Sequence, residues 1–182
     1  MIAMARDTPF AAVELQLRDG QRVTLRGVQP QDREAFQAVI KGLSEASRYT
    51  RFMSPLRELS SQMLERAVNP DKANELQLVA VSGQAGREEI AGGARYCGSA
   101  GSNDCEFAIT VAAAWQGRGL ARPLLNELMR AARDRGFVHM EGYILTGNAR
   151  MLGLARRLGF IEVQSPEGPT VRMVRCDLGK VA

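Results

Sequence analysis

Trp115-Gln116-Gly117-Arg118-Gly119-Leu120-Ala121-Arg122-Pro123 joins a stretch of alternating residues to a stretch of helical period. Upstream, Cys105 to Val111 reads as a strand. Downstream, Leu120, Leu124, Leu125, Leu128, Met129 and Ala132 recur at spacings of three and four, predicting a helix from about Gly119 to Arg135 that ends at Gly136. Two glycines at alternate positions let the backbone turn tightly, so that its N–H groups converge on an anion. The helix start adds unpaired N–H groups and the positive end of its dipole. Pro123 fits the first helical turn, where a missing N–H costs no bond. The segment is therefore read as a phosphate or pyrophosphate cradle formed by the amides of residues 117 to 122. A plain strand-to-helix turn is the alternative. Two common phosphate motifs are absent. No Lys-Ser or Lys-Thr follows Gly119, and Arg122 stands where the dinucleotide pattern G-x-G-x-x-G needs its third glycine.

Working outward, the period is two on the N-terminal side. Leu76 to Val81, Glu89 to Tyr96 and Cys105 to Val111 read as three strands of an antiparallel meander. Gly92-Gly93 suggests a bulge or a close backbone approach, Gly83 to Glu88 a turn, and Gly98 to Asp104 a loop. Before them, Ala11 to Leu17 alternates weakly, Asp19-Gly20 is a hairpin turn signal, and Gln21 to Arg26 resumes the alternation. Asp32 is placed to cap a helix with apolar Phe36, Val39, Ile40 and Leu43. Ser44 to about Leu59 reads as a loop rich in Arg, Tyr and Phe. Ser60 or Ser61 caps a short helix to Val68, stopped at Asn69-Pro70. Beyond the cradle, Phe137 to Leu145 reads as a strand and Asn148 to Leu158 as a helix. Phe160 to Val163 and Thr170 to Asp177 read as closing strands. The fold class is α/β (α+β), a mixed central sheet of about seven strands flanked by helices. Residues 1–20 form a leader, loose over 1–12, with a possible edge strand, and 21–182 form one domain.

The 182 residues carry a net charge of +4, with only three lysines against 21 arginines. No basic run or aromatic-interleaved stripe marks a nucleic-acid surface. No stretch reaches the roughly 18 apolar residues of a membrane helix, and residues 1–10 lack the apolar region of a secretory signal. Cys97, Cys105 and Cys176 are odd in number and contain no C-x-x-C pair, which fits a reducing cytoplasm. His139 is the only histidine, so no multi-histidine metal site is expected.

Gln116-x-x-Gly119-x-Ala121 is similar to the Q/R-x-x-G-x-G/A signature of the GNAT acetyltransferases. The block Asn148-Ala149-Arg150-Met151-Leu152-Gly153-Leu154-Ala155-Arg156-Arg157-Leu158-Gly159-Phe160 resembles a second block of that family, an asparagine opening a helix that ends in Leu-Gly-Phe. The order of elements agrees over roughly residues 21 to 177. Ser47 to Leu56, Glu106 to Ile109 and Met151 to Phe160 further resemble the acetyltransferase domain of bacterial protein-lysine acetyltransferases. Those proteins carry a large acyl-CoA-synthetase-like region before that domain, a region these 182 residues do not include.

The resemblance implies acetyl-CoA as cosubstrate and an amine as acceptor, a protein lysine or a small molecule. It implies that the pyrophosphate sits on the amides of Gln116, Gly117, Arg118, Gly119, Leu120, Ala121 and Arg122. It implies that the pantetheine arm runs beside strand 105–111, pairing with the main chain of Ile109 and Val111, and that Asn148 hydrogen-bonds the pantetheine region. Asn148 is equally placed as a helix N-cap. Arg118 and Arg122 either add charge to the phosphates or stand solvated at a helix start. Glu106 matches the family's catalytic glutamate, and a carboxylate there takes the amine proton directly or through one water. Glu141, which alternates outward with Tyr143, is the alternative base. Tyr143 is either a proton donor or a strand aromatic. Many GNAT enzymes place an acid tyrosine five residues before the Phe of Leu-Gly-Phe; here Ala155 stands there. His139 and Cys105 read as packing or surface residues. Phe52 reads as packing and Tyr49 as an acceptor contact. A non-catalytic acyl-CoA-binding sensor on the same fold, or a module whose glycines only turn the chain, are the competing readings. Free strand edges leave homodimer pairing open.

Overall fold

A computed structural model describes residues 8–83 and 87–180. Eight strands form one sheet in the order β1-β2-β3-β4-β5-β6-β8-β7. The hairpin at Asp19-Gly20 joins β1 (Val13–Gln16) to β2 (Arg22–Gly27), so the expected edge strand pairs in the sheet and brings its count to eight rather than about seven. The meander follows as β3 (Glu75–Ser82), β4 (Glu89–Gly98) and β5 (Asp104–Val111), all antiparallel. The bulge falls at Ala91, where the register slips between Ala80 opposite Gly92 and Val81 opposite Ile90. An added Cβ on Gly92 would stand 2.8 Å from the Thr110 carbonyl oxygen, the close approach that the double glycine signals. The turn expected over Gly83 to Glu88 lies partly outside the described residues, as do residues 1–7 of the leader.

The leader that is described, residues 8 to 12, has no regular structure and touches the core. Phe10 packs against the main core, and the buried Arg135 guanidinium donates to the Thr8 carbonyl. Asp32 differs from its expected role. It makes no side-chain cap on α1 (Arg33–Gly42) and instead ties the helix entry to β2, accepting a forked pair from Arg26 at 2.8 and 2.9 Å and the Gln29 N–H at 2.7 Å. Burial pushes its carboxyl up, but these donors outweigh it and hold it below the usual carboxylate range.

The largest correction is the segment after α1. Glu45–Phe52 is a helix, α2, not a loop. The Ser44 side chain accepts from the Ser47 N–H at its start, and Met53 ends it in the left-handed region at φ 51°. Then come α3 (Ser61–Val68), capped by Ser60 as expected, α4 (Ala121–Asp134), and β6 (His139–Leu145). The chain closes with α5 (Ala149–Arg157), β7 (Ile161–Val163) and β8 (Val171–Asp177). No helix of the described residues is long and apolar enough to cross a membrane.

The two faces of the sheet are covered differently. On one, Leu120 at the start of α4, with Leu124, Leu125, Leu128 and Leu154 from α4 and α5, buries Tyr96, Cys105, Phe107 and Met140. On the other, α1, α2 and α3 make two smaller clusters, one over Val79, Val81 and Ile90. Along β5, Cys105 and Phe107 point to the first core, so Glu106, Ala108 and Thr110 take the second face.

The sheet splays between two neighbouring strands, β5 and β6. β5 and β6 are parallel and pair only at Asp104–His139, Cys105–Met140 and Glu106–Glu141. Beyond Glu106 both strands go on, to Val111 and Leu145, without pairing to each other. Phe107 lies at the parting, edge-on to Phe160 at 5.2 Å between ring centroids. Gly142 makes room for it, since a Cβ there would stand 2.2 Å from the Phe107 ring. Gly142→Val is therefore expected to overpack the parting by about 1–3 kcal/mol. Thermal unfolding should register that as a loss of roughly 3–10 °C.

Candidate active site

The bend after β5 has the form that its glycines require. Gly117 and Gly119 adopt φ of 79° and 86°, the left-handed region that side chains disfavour. Trp115 anchors the bend: it is buried, and its indole N–H donates to Glu89 at 3.0 Å. The Gln116 side chain donates to the Val111 carbonyl at 3.1 Å, tying the bend to the end of β5. Among the described residues, the amides of 117 to 122 make no backbone hydrogen bond. The first bond of the α4 ladder runs from the Leu124 N–H to the Leu120 carbonyl at 3.2 Å. Unspent donors of this kind at a helix start form a site of positive potential.

Three arginines surround the bend. Arg118 stacks on the Trp115 ring at 4.9 Å and pairs with Asp19 at 3.3 Å. Arg122 is exposed in the first turn of α4. Arg18, from the β1–β2 turn, lays its side chain along Gly119, with Cγ, Cδ and Nε 3.4–3.7 Å from where a Cβ would be. Sequence reasoning misses Arg18. Only the folded hairpin, 101 positions away in the chain, brings it to the bend, and no local pattern marks it.

Where β5 leaves β6, Ile109 and Val111 have main chain beside the opening; the Val111 carbonyl is already occupied by Gln116. Asn148 starts α5 and accepts the Met151 N–H at 3.1 Å, so its N-cap role is seen directly while its amide N–H₂ stays available. Ala155 is fully buried in the core and offers no acid. Gln116, Gly117, Arg118, Gly119, Leu120, Ala121 and Arg122 thus gather at one end of the opening and Glu106 at the other.

Glu106 and Glu141 sit side by side in register where the strands part, in different surroundings. The Arg175 guanidinium grips Glu141 and also reaches Asp104 at 3.2 Å and His139 at 2.9 Å. His139 itself meets Asp104 at 2.9 Å, so it belongs to a surface charge network. Glu106 makes no ion pair among the described residues. It is open to solvent on one side, yet protein packed around it partly desolvates the carboxylate and raises its pKa. Arg95 and Arg51 oppose that rise, and Glu141 and Glu167 add to it. Tyr143, on β6, has its phenol pKa raised by desolvation and by Glu106, Glu141 and Glu167. Cys105 is buried on the opposite face of β5. Tyr49 is 48% exposed, whereas Phe52 packs with the second core.

A family model for the acetyltransferase (GNAT) domain matches residues 22–161. The chain belongs to the GNAT acetyltransferase family. It is 32% identical over 171 residues to a protein of Pseudomonas aeruginosa named acetyltransferase PA5475, covering 91% of this chain and 92% of that one. Its structure is similar to the GNAT domain of S. lividans PAT, with a TM-score of 0.83 and 26% identity over 91% of this chain and 96% of that one. Spermidine N-acetyltransferase of Vibrio cholerae, solved with CoA and spermine, shares the fold at 18% identity and a TM-score of 0.70, over 87% of this chain and 96% of that one. The likeness to the S. lividans domain agrees with the finer resemblance carried by Ser47 to Leu56 and Met151 to Phe160. The matched residues begin at Arg22, so β1 and Arg18 of this GNAT acetyltransferase precede them.

Proposed function

We propose that this GNAT acetyltransferase moves an acetyl group from acetyl-coenzyme A to a primary amine by direct attack, with Glu106 as general base. The observation that carries the reading is the parting of β5 from β6 after Glu106, which opens toward a bend whose amides from 117 to 122 are unspent. Residues 21–182 form the catalytic domain, and the arm before it leans Arg18 on the cofactor bend. A diphosphate takes the amides of the bend, with Arg118, Arg122 and Arg18 adding charge. The pantetheine arm enters the opening beside Ile109 and Val111, near the amide of Asn148. In this reading the thioester lies next to Glu106.

The amine arrives as an ammonium. Glu106 takes its proton, directly or through one water, and the neutral nitrogen attacks the thioester carbon. A carbon–nitrogen bond forms and the carbon–sulfur bond breaks. With Ala155 in place of an acid, the sulfur leaves as the thiolate; the nitrogen gives its second proton to water as the amide forms, and the thiolate is protonated from that water. Glu106 is preferred to Glu141 because Arg175 already neutralises and holds Glu141. Ala155 is also the one observation that favours a non-catalytic acetyl-CoA sensor.

Melting the protein with and without acetyl-CoA, then assaying thiol release with amines, decides between these readings. Ligand at 100 times its Kd should add about 2.7 kcal/mol of stability. No shift at millimolar acetyl-CoA would overturn the cofactor assignment. A shift without thiol release from any amine would leave the sensor.

A further inference from the structure

The cleft beside Glu106 contains a cation that makes no close ion pair among the described residues, Glu106 acting on it only at longer range. Arg51, in the last turn of α2, points into the space between α1, α2 and the second face of β3, β4 and β5. Its Nε donates to the Thr110 hydroxyl at 3.1 Å, and its guanidinium carbon lies 4.8 Å from the Phe52 ring centroid. Among the described residues it makes no ion pair. Arg95, on β4, lines the same cleft. Its approach to Glu75 spans 3.9 Å, and Glu75 is shared with Arg66. Desolvation and the neighbouring charge of Arg95 bring the Arg51 pKa down to about 10, against the opposing pull of Glu106. A guanidinium largely out of water with no close ion pair is costly, and a carboxylate that reaches Arg51 and Arg95 recovers that cost through charge-assisted hydrogen bonds. Glu106 opens onto the same face as both arginines, two residues along β5 from Ala108, which also lines the cleft. The Glu106 carboxylate and the two guanidinium groups therefore share one face of the sheet.

We propose that the acceptor is an amine that carries a carboxylate close to the reacting nitrogen, the carboxylate docking on Arg51 and Arg95 while the nitrogen reaches Glu106. The proposal rests on the acetyl-transfer reading and names its substrate class. It sets this chain apart from acceptors that are polycations, which two inward arginines repel.

The test compares matched amines in saturating acetyl-CoA: L-leucine against isopentylamine, L-lysine against cadaverine, and spermidine. Lysine peptides with a neighbouring Glu or Gln cover a carboxylate supplied by an adjacent residue. The parent enzyme should favour the carboxylate member of at least one pair, by about tenfold to a hundredfold in kcat/KM. In Arg51→Met and in Arg95→Met that ratio should fall toward unity, mainly through KM. The basicity of each amine cancels when one pair is compared between enzymes. Binding of N-acetyl-L-leucine and of N-acetylisopentylamine to the CoA-loaded protein, by calorimetry, repeats the comparison without turnover. Arg51→Lys and melting curves separate weakened carboxylate recognition from general unfolding. Equal rates and equal affinities across every pair would overturn the proposal, as would a preference for spermidine or a ratio unmoved in both variants. Failure of the acetyl-transfer reading shows separately, as absent CoA binding or absent thiol release in the parent enzyme, and the calorimetric pair still decides the carboxylate site.

Discussion

Glu106→Gln is expected to lower kcat by about 10²–10⁴-fold, the usual worth of a positioned base. Acetyl-CoA affinity should stay close to that of the parent, because the proposed cofactor site is main chain at the bend and Glu106 lies at the far end of the opening. The pH profile gives the sharper signature. Glu106 must be ionised to accept the proton, and partial burial raises its pKa against the pull of Arg95 and Arg51. Activity should therefore fall as pH drops through that raised value, at a higher pH than an ordinary carboxylate would produce, and recover above it. In Glu106→Gln this acid limb should vanish along with the rate. Glu141→Gln is expected to cost much less, since Arg175 holds that carboxylate in an ion pair. A Glu141→Gln enzyme that is dead beside a Glu106→Gln enzyme that is active would move the base to β6.

The second large effect is expected at the bend. Gly119 has φ of 86°, and a β-branched side chain there is strained by about 1–2 kcal/mol. Relief of that strain would turn the amides away from the proposed phosphate position. Each charge-assisted hydrogen bond broken in this way removes about 1.5–3 kcal/mol. Gly119→Val should thus weaken acetyl-CoA binding by roughly a hundredfold to a thousandfold, measured by calorimetry. Arg18 stands 3.4 Å from the new Cβ and would be displaced as well. Gly168→Ala is the control: its φ is 89°, but it lies in the turn before β8, away from the bend. It should cost stability and leave the Kd alone. A Gly119→Val protein that binds acetyl-CoA as the parent does would remove the bend from the cofactor site.

Local pattern carried much of this. The alternation over 76–81, 89–96 and 105–111 became β3, β4 and β5, and the 3–4 spacing from Leu120 to Ala132 became the buried stripe of α4. The glycines of Trp115 to Arg122 fell in the left-handed region where their spacing placed them. By contrast, Glu45–Phe52 has no fully buried residue and only Phe52 packs against a core cluster, so periodicity had nothing to register. Its signals were polar: Ser44 as cap, Glu45 in the first turn and Arg51 in the last.

From its order of residues alone, this protein determined its strands, its main helices, its family and the bend that turns amides outward, because each depends on neighbours within a few positions. Tertiary structure alone decided that β5 and β6 part after Glu106, that Arg175 takes Glu141 and leaves Glu106 open, and that Arg18, Arg51 and Arg95 arrive at the site from three separate elements. Pairing between strands and the meeting of distant charges are contacts across the chain, and no local period encodes where they stop.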